Sequence, residues 1–287
     1  MVEIVSLDDF LDSFDFSKKN YTPKYCYDAF NSLHNNTQSF VAKSYPLLSA
    51  NAFSKWSAGS IPFFIRQVKS LEKDGLLPLS DYAVLFSHFK ELFLHTLLSG
   101  SICKDKKSDT YTLSLSNTKD NLVITSEVIK DEFGIVANVN ENKKPKDSSY
   151  LRISSNSDGL AQGLTRLLML SGIPLGEKKD FDLCIPDFID VESFIYYAVN
   201  LKSLNSYYKR DVVSGFNLWT SNKVTAQKNL DYVLDFLNKG SIQFKGYLYE
   251  ASGNSKAGSF VPSIIVTKNH LPFFEMLLKV YKPLYGV

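Results

Sequence analysis

The sequence predicts an α+β chain in which a small all-helical unit precedes two copies of the order helix, two strands, helix, two strands, helix (αββαββα). Three observations carry this expectation. From Asp81 to Ser101 (DYAVLFSHFKELFLHTLLSGS) apolar residues cover nearly the whole circumference of a helix, and a helix that is apolar all round is a buried one. It ends at Gly100, a common helix stop, and runs into the strand-like TYTLSLS of residues 110–116. The same order returns about 100 residues later. By contrast, residues 25–79 read as helices alone.

The chain has 287 residues with 44% hydrophobic and 14% aromatic content, enough for a sizeable core. The 32 basic and 30 acidic residues nearly balance, so any contact with nucleic acid must rest on local patches. Cys26, Cys103 and Cys184 are far apart and odd in number, as expected of free thiols in a reducing compartment. The acidic start MVEIVSLDDFLDSFDF lacks a signal peptide's basic and apolar regions. No apolar stretch approaches the ~20 residues of a membrane span. The expectation is a soluble, cytoplasmic, nucleoid-associated protein with no membrane partner.

Residues 1–24 form an acidic leader in which Val5, Phe10, Leu11 and Phe14 suggest a short amphipathic helix, docked on a partner or on the body; otherwise it is a solvated segment. Residues 25–79 hold four helices. KYCYDAFNSLHNN stops at the Asn pair 35–36. Thr37 caps TQSFVAKSY, Ser49 caps ANAFSKWSA, and Pro62 opens FFIRQVKSLEKDG in its first turn. The two short helices joined by a tight turn, the second ending in W-x-x-G and then Pro, resemble a helix-turn-helix of the repressor type. Phe53 and Trp56 would pack inward, leaving Ser49, Asn51, Ser54 and Lys55 to reach base edges and phosphates. Between Val41 and Leu71 stand Lys43, Lys55, Arg66 and Lys69 and no acid. DGLLPLSD (74–81) reads as a linker, with Ser80 capping the buried helix.

Residues 80–180 are the first repeat. It contains a helix over NLVITSEVIKDEFGI, a polar hairpin or loop bearing Lys143, Lys144 and Lys146, the strand YLRISS, and a helix that Gly172 stops. Residues 181–287 are the second. Here the helix VESFIYYAVNLKSL, strands SYYK and GFNLWTS, the helix KVTAQKNLDYVLDFLNKGSI, the hairpin FKGYLYEA/SFVPSIIVT and a closing helix HLPFFEMLLKVYKPLYGV follow one another.

Over residues 82–287 this order, with YLRISSNSDGLAQGLTRLLMLSGIPLGEKK (150–179) and SFVPSIIVTKNHLPFFEMLLKV (259–280), resembles the LAGLIDADG homing-endonuclease family. The resemblance implies two pseudo-symmetric repeats whose first helices pack together and whose sheets form a saddle over the DNA major groove. It also implies one carboxylate at the foot of each central helix, gripping divalent metal. Laid on this chain, those positions are Ser99 and Lys202. A hydroxyl is a poor replacement for a carboxylate ligand, and an ammonium repels Mg²⁺. GYLYEASG (246–253) echoes the motif but falls where a strand is expected. Regulators that join a degenerate body of this kind to a helix-turn-helix, among them a bacterial sporulation family, are similar in parts, though their helix-turn-helix lies at the other end.

Three functional readings follow. The first is a sequence-specific double-stranded DNA-binding protein, a transcriptional regulator with no catalytic residue and no cofactor. Its contacts would come from outward strand residues: Thr110, Thr112, Ser114, Ser116, Arg152, Ser154, Asn217, Trp219, Ser221, Tyr247 and Tyr249, with Lys143, Lys144 and Lys146 on phosphates. The second is a Mg²⁺-dependent homing endonuclease whose acid is Glu91, Asp105 or Glu192 in a shifted register. The third is a scaffold that binds another protein through its aromatic surface and the acidic leader. His34, His88, His95 and His270 are scattered without ligand spacing, and no phosphate loop, dinucleotide fingerprint, zinc motif or nucleophile elbow is present.

Overall fold

A computed structural model describes residues 2–105, 108–141, 149–153, 159–176, 181–202, 206–208, 211–251 and 259–285. The chain is a mixed helix–sheet protein divided into two compact units. The first takes residues 1–86, 104–112 and 154–171, and the second takes 87–103, 113–153 and 172–287.

In the first unit, β1 (Glu3–Val5) pairs antiparallel with β2 (Leu79–Ser80). Ser6 then opens α1 (Leu7–Asp12) with a capping box, its hydroxyl accepting from Asp9 N at 3.0 Å. Phe10 and Leu11 are fully buried. Of the readings of the leader, docking on the body is therefore the one realised, and its apolar residues are not offered to a partner. Four helices follow: α2 (Pro23–Ser32), α3 (Gln38–Ser44), α4 (Ala50–Ser57) and α5 (Phe63–Lys73). Thr22, Thr37 and Ser49 each accept a backbone N–H at a helix start. Pro62 sits at the N-cap of α5, not inside its first turn. Phe30, Val41, Phe53 and Ile65 share one core cluster.

Leu76, Leu77 and Leu79 are buried, so the expected linker is packed chain. Ser80 caps no helix, because residues 81–85 form turns and the helix begins at Phe86. Ala83–Leu85 had the apolar character of helix, yet Val84 is 91% exposed.

Near the end of this unit, α8 (Gly159–Leu170) lies along α5. A Cβ on Gly163 would stand 3.1 Å from Leu71 and 3.2 Å from the Gln67 carbonyl, so the glycine sets the approach. Arg166 of α8 is buried. It donates to Ser13 O at 2.7 Å and to Asp109 at 2.9 Å, and its guanidinium lies 3.9 Å from the Phe14 ring centre. Leader, α8 and residue 109 thus meet on one cation.

In the second unit, α6 (Phe86–Ser99) leads into β3 (Gly100–Lys104), β4 (Tyr111–Asn117), α7 (Lys119–Phe133), β5 (Asn138–Glu141) and β6 (Ser149–Ile153). The strands form a sheet of order β3-β4-β6-β5. Residues Glu91 to Leu98 are all buried, as the all-round apolar pattern requires. The close fit extends to Gly100, where a Cβ would stand 2.8 Å from Thr96 Cα and 2.9 Å from the Ser114 carbonyl. The polar segment after α7 contains a strand, β5.

The remainder runs α9 (Val191–Lys202), β7 (Ser206–Tyr208), β8 (Asp211–Val213), β9 (Gly215–Asn217), β10 (Ser221–Asn222), α10 (Lys223–Leu237), β11 (Phe244–Glu250), β12 (Ser259–Val266) and α11 (Leu271–Val280). Strand β12 is central, with β11 on one side and β9 and β10 on the other, all antiparallel. GFNLWTS is accordingly two short strands rather than one. Residues 246–250 of GYLYEASG lie in β11, and the rest of that match runs into residues outside the description. The closing helix stops at Val280, after which Tyr281–Tyr285 run as extended chain and turn. Tyr281 stacks on Tyr196 at 4.6 Å, and Tyr285 is buried.

Candidate nucleic-acid interface

Period-2 alternation decides what each sheet shows on its two faces. In β4, Leu113 and Leu115 are buried while Ser114 and Ser116 point the other way. The register places Ser114 opposite Arg152 and Arg152 opposite Asn138. Likewise Ser116 stands opposite Tyr150, and Tyr150 opposite Asn140. One face of this sheet is therefore apolar and the other carries two rows of hydrogen-bonding side chains. Arg152 is exposed and lies 5.4 Å over the Tyr150 ring.

The second sheet repeats the pattern. Gly246 on one face of β11 packs against Leu230 and Leu234 of α10. On the opposite face Lys245, Tyr247 and Tyr249 are exposed, with the two tyrosine rings 6.2 Å apart. Tyr247 pairs with Ser263 of β12, which pairs with Asn217 of β9. Ser263 donates to the Asn217 side-chain oxygen at 2.6 Å, which orients that amide.

The ends of α6 and α9 hold Ser99 and Lys202. The Ser99 hydroxyl donates to the Ser116 carbonyl at 2.7 Å, tying the helix end to β4. Lys202 is half-buried, and burial lowers its pKa from the ordinary lysine value. Among the described residues no carboxylate forms an ion pair with it. A hydroxyl engaged with a carbonyl and an ammonium do not fit a divalent cation. Nor is any group of three or more His, Cys, Asp or Glu placed for a metal among the described residues.

Each carboxylate considered as a substitute ligand can be placed as well. Glu91 is buried eight residues before Ser99, roughly 12 Å along the axis. It accepts from Leu284 N at 2.7 Å, from Tyr281 Oη at 3.3 Å and from Tyr197 Oη. Glu192 lies in the first turn of α9, at the opposite end from Lys202. Asp105 is exposed beyond β3, and its N–H donates to the Thr110 carbonyl at 2.9 Å.

In the first unit, Ser49 is the N-cap of α4, and its hydroxyl accepts from Ala52 N at 3.3 Å. Asn51, Ser54 and Lys55 are exposed on α4 while Phe53 is buried and Trp56 half-buried. Lys43 and Arg66 are exposed as well, but Lys69 is occupied by Glu72 at 3.0 Å.

The strand residues named from sequence thus fall unequally. Thr112, Ser114 and Asn217 are half-buried, as is Trp219, while Ser116, Arg152, Tyr247 and Tyr249 are exposed. Thr110 and Ser221 are buried; an outward Ser221 requires a single strand over residues 215–221, and the break between β9 and β10 removes that alternation. Ser154, Lys143, Lys144 and Lys146 lie outside the described residues. Asn138, Asn140, Tyr150 and Lys245 stand on the polar faces and were not singled out. The N-V-N alternation at 138–140 was the available signal.

No protein-family model matches the chain, and no curated protein matches it. Solved structures similar to it include the homing endonuclease I-DmoI in complex with DNA and Mn, at 15% identity over 68% of this chain and 98% of that one, with a TM-score of 0.39. The homing endonuclease I-WcaI bound to its DNA recognition sequence is similar at 16% identity, 73% and 93% coverage, and a TM-score of 0.40. The N-terminal LAGLIDADG domain of WhiA is similar at 12% identity, 74% and 91% coverage, and a TM-score of 0.39. No helix among the described residues is long and apolar enough to cross a membrane.

Proposed function

We propose that this chain is a sequence-specific double-stranded DNA-binding protein, a transcriptional regulator that holds its target without cutting it. The observation that carries the proposal is the pair of polar sheet faces. Each sheet sets serine, asparagine and tyrosine side chains in rows across neighbouring strands, next to an exposed Arg152 or Lys245. Hydroxyls and amides read base edges, an arginine fork reads guanine, and the flanking cations meet phosphate. Lys202 supports the same reading: a half-buried ammonium with no carboxylate partner among the described residues gains most from a polyanion. Ser49, Asn51, Ser54 and Lys55 of α4 are proposed as a second contact, in a helix-turn-helix, adding avidity to the two sheets arranged as a saddle.

The helix feet support a reading without cleavage. Ser99 and Lys202 supply no carboxylate, and Glu91 is spent on three donors. The test is a gel shift with a selected duplex. Arg152→Ala and Asn217→Ala are expected each to weaken binding about tenfold and to relax specificity at one position, as loss of a base contact does. Lys228→Ala, exposed on α10, the helix that covers the apolar face of the second sheet, is the control and should leave binding within about twofold. Unchanged binding in both sheet variants would refute the assignment of these faces.

A further inference from the structure

Helices α9 and α11 leave an apolar cleft of about 390 Å³ between them, within the second unit. Ile195 of α9 and Leu277 of α11 help to line it, and Glu192 is its one charged lining residue. Along the outer edge of the cleft α11 raises a ridge: Phe273, Met276 and Val280 are 60%, 57% and 70% exposed. Their spacing of three and four residues puts them on one stripe of the helix. Phe273, Met276 and Val280 also line the cleft, so ridge and cleft form one continuous apolar surface. An occupant that covers all of it brings a ridge for the cleft and a cleft for the ridge.

We propose that the occupant is a second copy of this chain, paired through α9 and α11 about a twofold axis. A twofold interface uses one patch twice, so it needs a self-complementary surface, and a ridge beside a cleft of the same chemistry is one. With the ridge of one copy in the cleft of the other, the outer flank of that ridge faces the other copy's α9. Lys279 occupies this flank, next to Met276 on the helical wheel and on the side away from Leu277. Glu192 is on α9. The pairing thus sets Lys279 against Glu192 twice, once on each side of the axis. Both are exposed, and neither forms an ion pair among the described residues. A patch of two short helices is smaller than the ~800 Å² per partner of a standard interface, so the dimer is a weak, reversible one. This pairing is independent of the DNA-binding reading.

Sedimentation velocity on the full chain over a rising concentration series tests it. The wild type should pass from monomer to dimer, and Val280→Glu, at an exposed position, should hold it monomeric. Glu192→Lys and Lys279→Glu should each raise the dimer dissociation constant about tenfold, through two lost rim pairs and the repulsion that replaces them. The double variant carrying both reversals should return to within about threefold of wild type, since the pairs reform with exchanged sign. Far-UV circular dichroism checks that each variant is folded. A wild type that stays monomeric at every concentration overturns the proposal. So does a double variant no better than the single ones. A monomer whose cleft takes up an anilinonaphthalene dye, lost in Val280→Glu, would assign the cleft to a small amphiphile instead.

Discussion

Replacing Glu91 by alanine removes the acceptor on which the C-terminal segment is fastened. Its Oε2 takes hydrogen bonds from the Leu284 amide at 2.7 Å and from Tyr197 Oη, and its Oε1 takes one from Tyr281 Oη at 3.3 Å. Tyr197 is fully buried, and burial followed by the Glu91 charge pushes its pKa far above the ordinary tyrosine range, so it remains a donor at any working pH. Tyr281 keeps a second partner in Ser193 at 3.0 Å. The alanine variant therefore strands two donors, Tyr197 Oη and Leu284 N, at roughly 1–3 kcal/mol each, for a loss of about 2–6 kcal/mol. Glu91→Gln keeps one acceptor oxygen but turns an amide N–H₂ toward a donor, and should cost about 1–2 kcal/mol. Urea unfolding followed by aromatic fluorescence measures both, with the two compact units fitted as separate transitions. Amide exchange at Leu284 reports the same bond locally and should accelerate in the alanine variant. A loss below about 1 kcal/mol with unchanged exchange at Leu284 would show that the carboxylate does not hold this segment.

Two further consequences follow from charges inside the fold. Burial lowers Lys202 from its ordinary 10.5, so the unfolded chain binds more protons and stability should rise as pH climbs through the lowered value toward 10.5. Lys202→Met should abolish that rise, add about 1 kcal/mol near neutral pH, and weaken DNA binding with a smaller salt slope; urea unfolding across pH and salt-dependent gel shifts measure these effects. For Asp109, burial acts to raise the pKa, but Lys104 and Arg166 outweigh it and the carboxyl sits below 3.8. The stability it contributes is present above the unfolded value and is lost as pH falls through the folded one. Asp109→Asn should cost the first unit about 2 kcal/mol at neutral pH, discounted for partial exposure, and flatten its acid transition.

Local chemistry in the sequence located most helix boundaries. Thr37 and Ser49 cap the helices expected of them, Thr118 caps α7, and Gly59, Gly75, Gly134 and Gly172 take positive φ at helix ends. The burial of α6 followed from its pattern alone. The start of that helix did not, because the apolar run at 83–85 satisfies helical periodicity while the turn exposes it. The buried polar clusters were out of reach for another reason. Glu91 meets Leu284 across 193 residues, and Arg166 meets Ser13 across 153. Such pairings leave no trace in local spacing. What the sequence did offer was a single acid within FSHFKELFLHTLLS and a single base within LTRLLML, each a charge that needs a partner once buried. Similarly, Asn138, Asn140 and Tyr150 became visible as one polar face only when register set them beside Ser116 and Arg152.

The most direct measurement is a selection from random duplexes on the full chain, run in parallel without metal and with Mg²⁺ or Mn²⁺. The expected result is enrichment of one discrete duplex in every arm, recovered uncut, with retention falling steeply as salt rises. Site-specific cutting in the metal arms, or no enriched duplex in any arm at low salt, would contradict it.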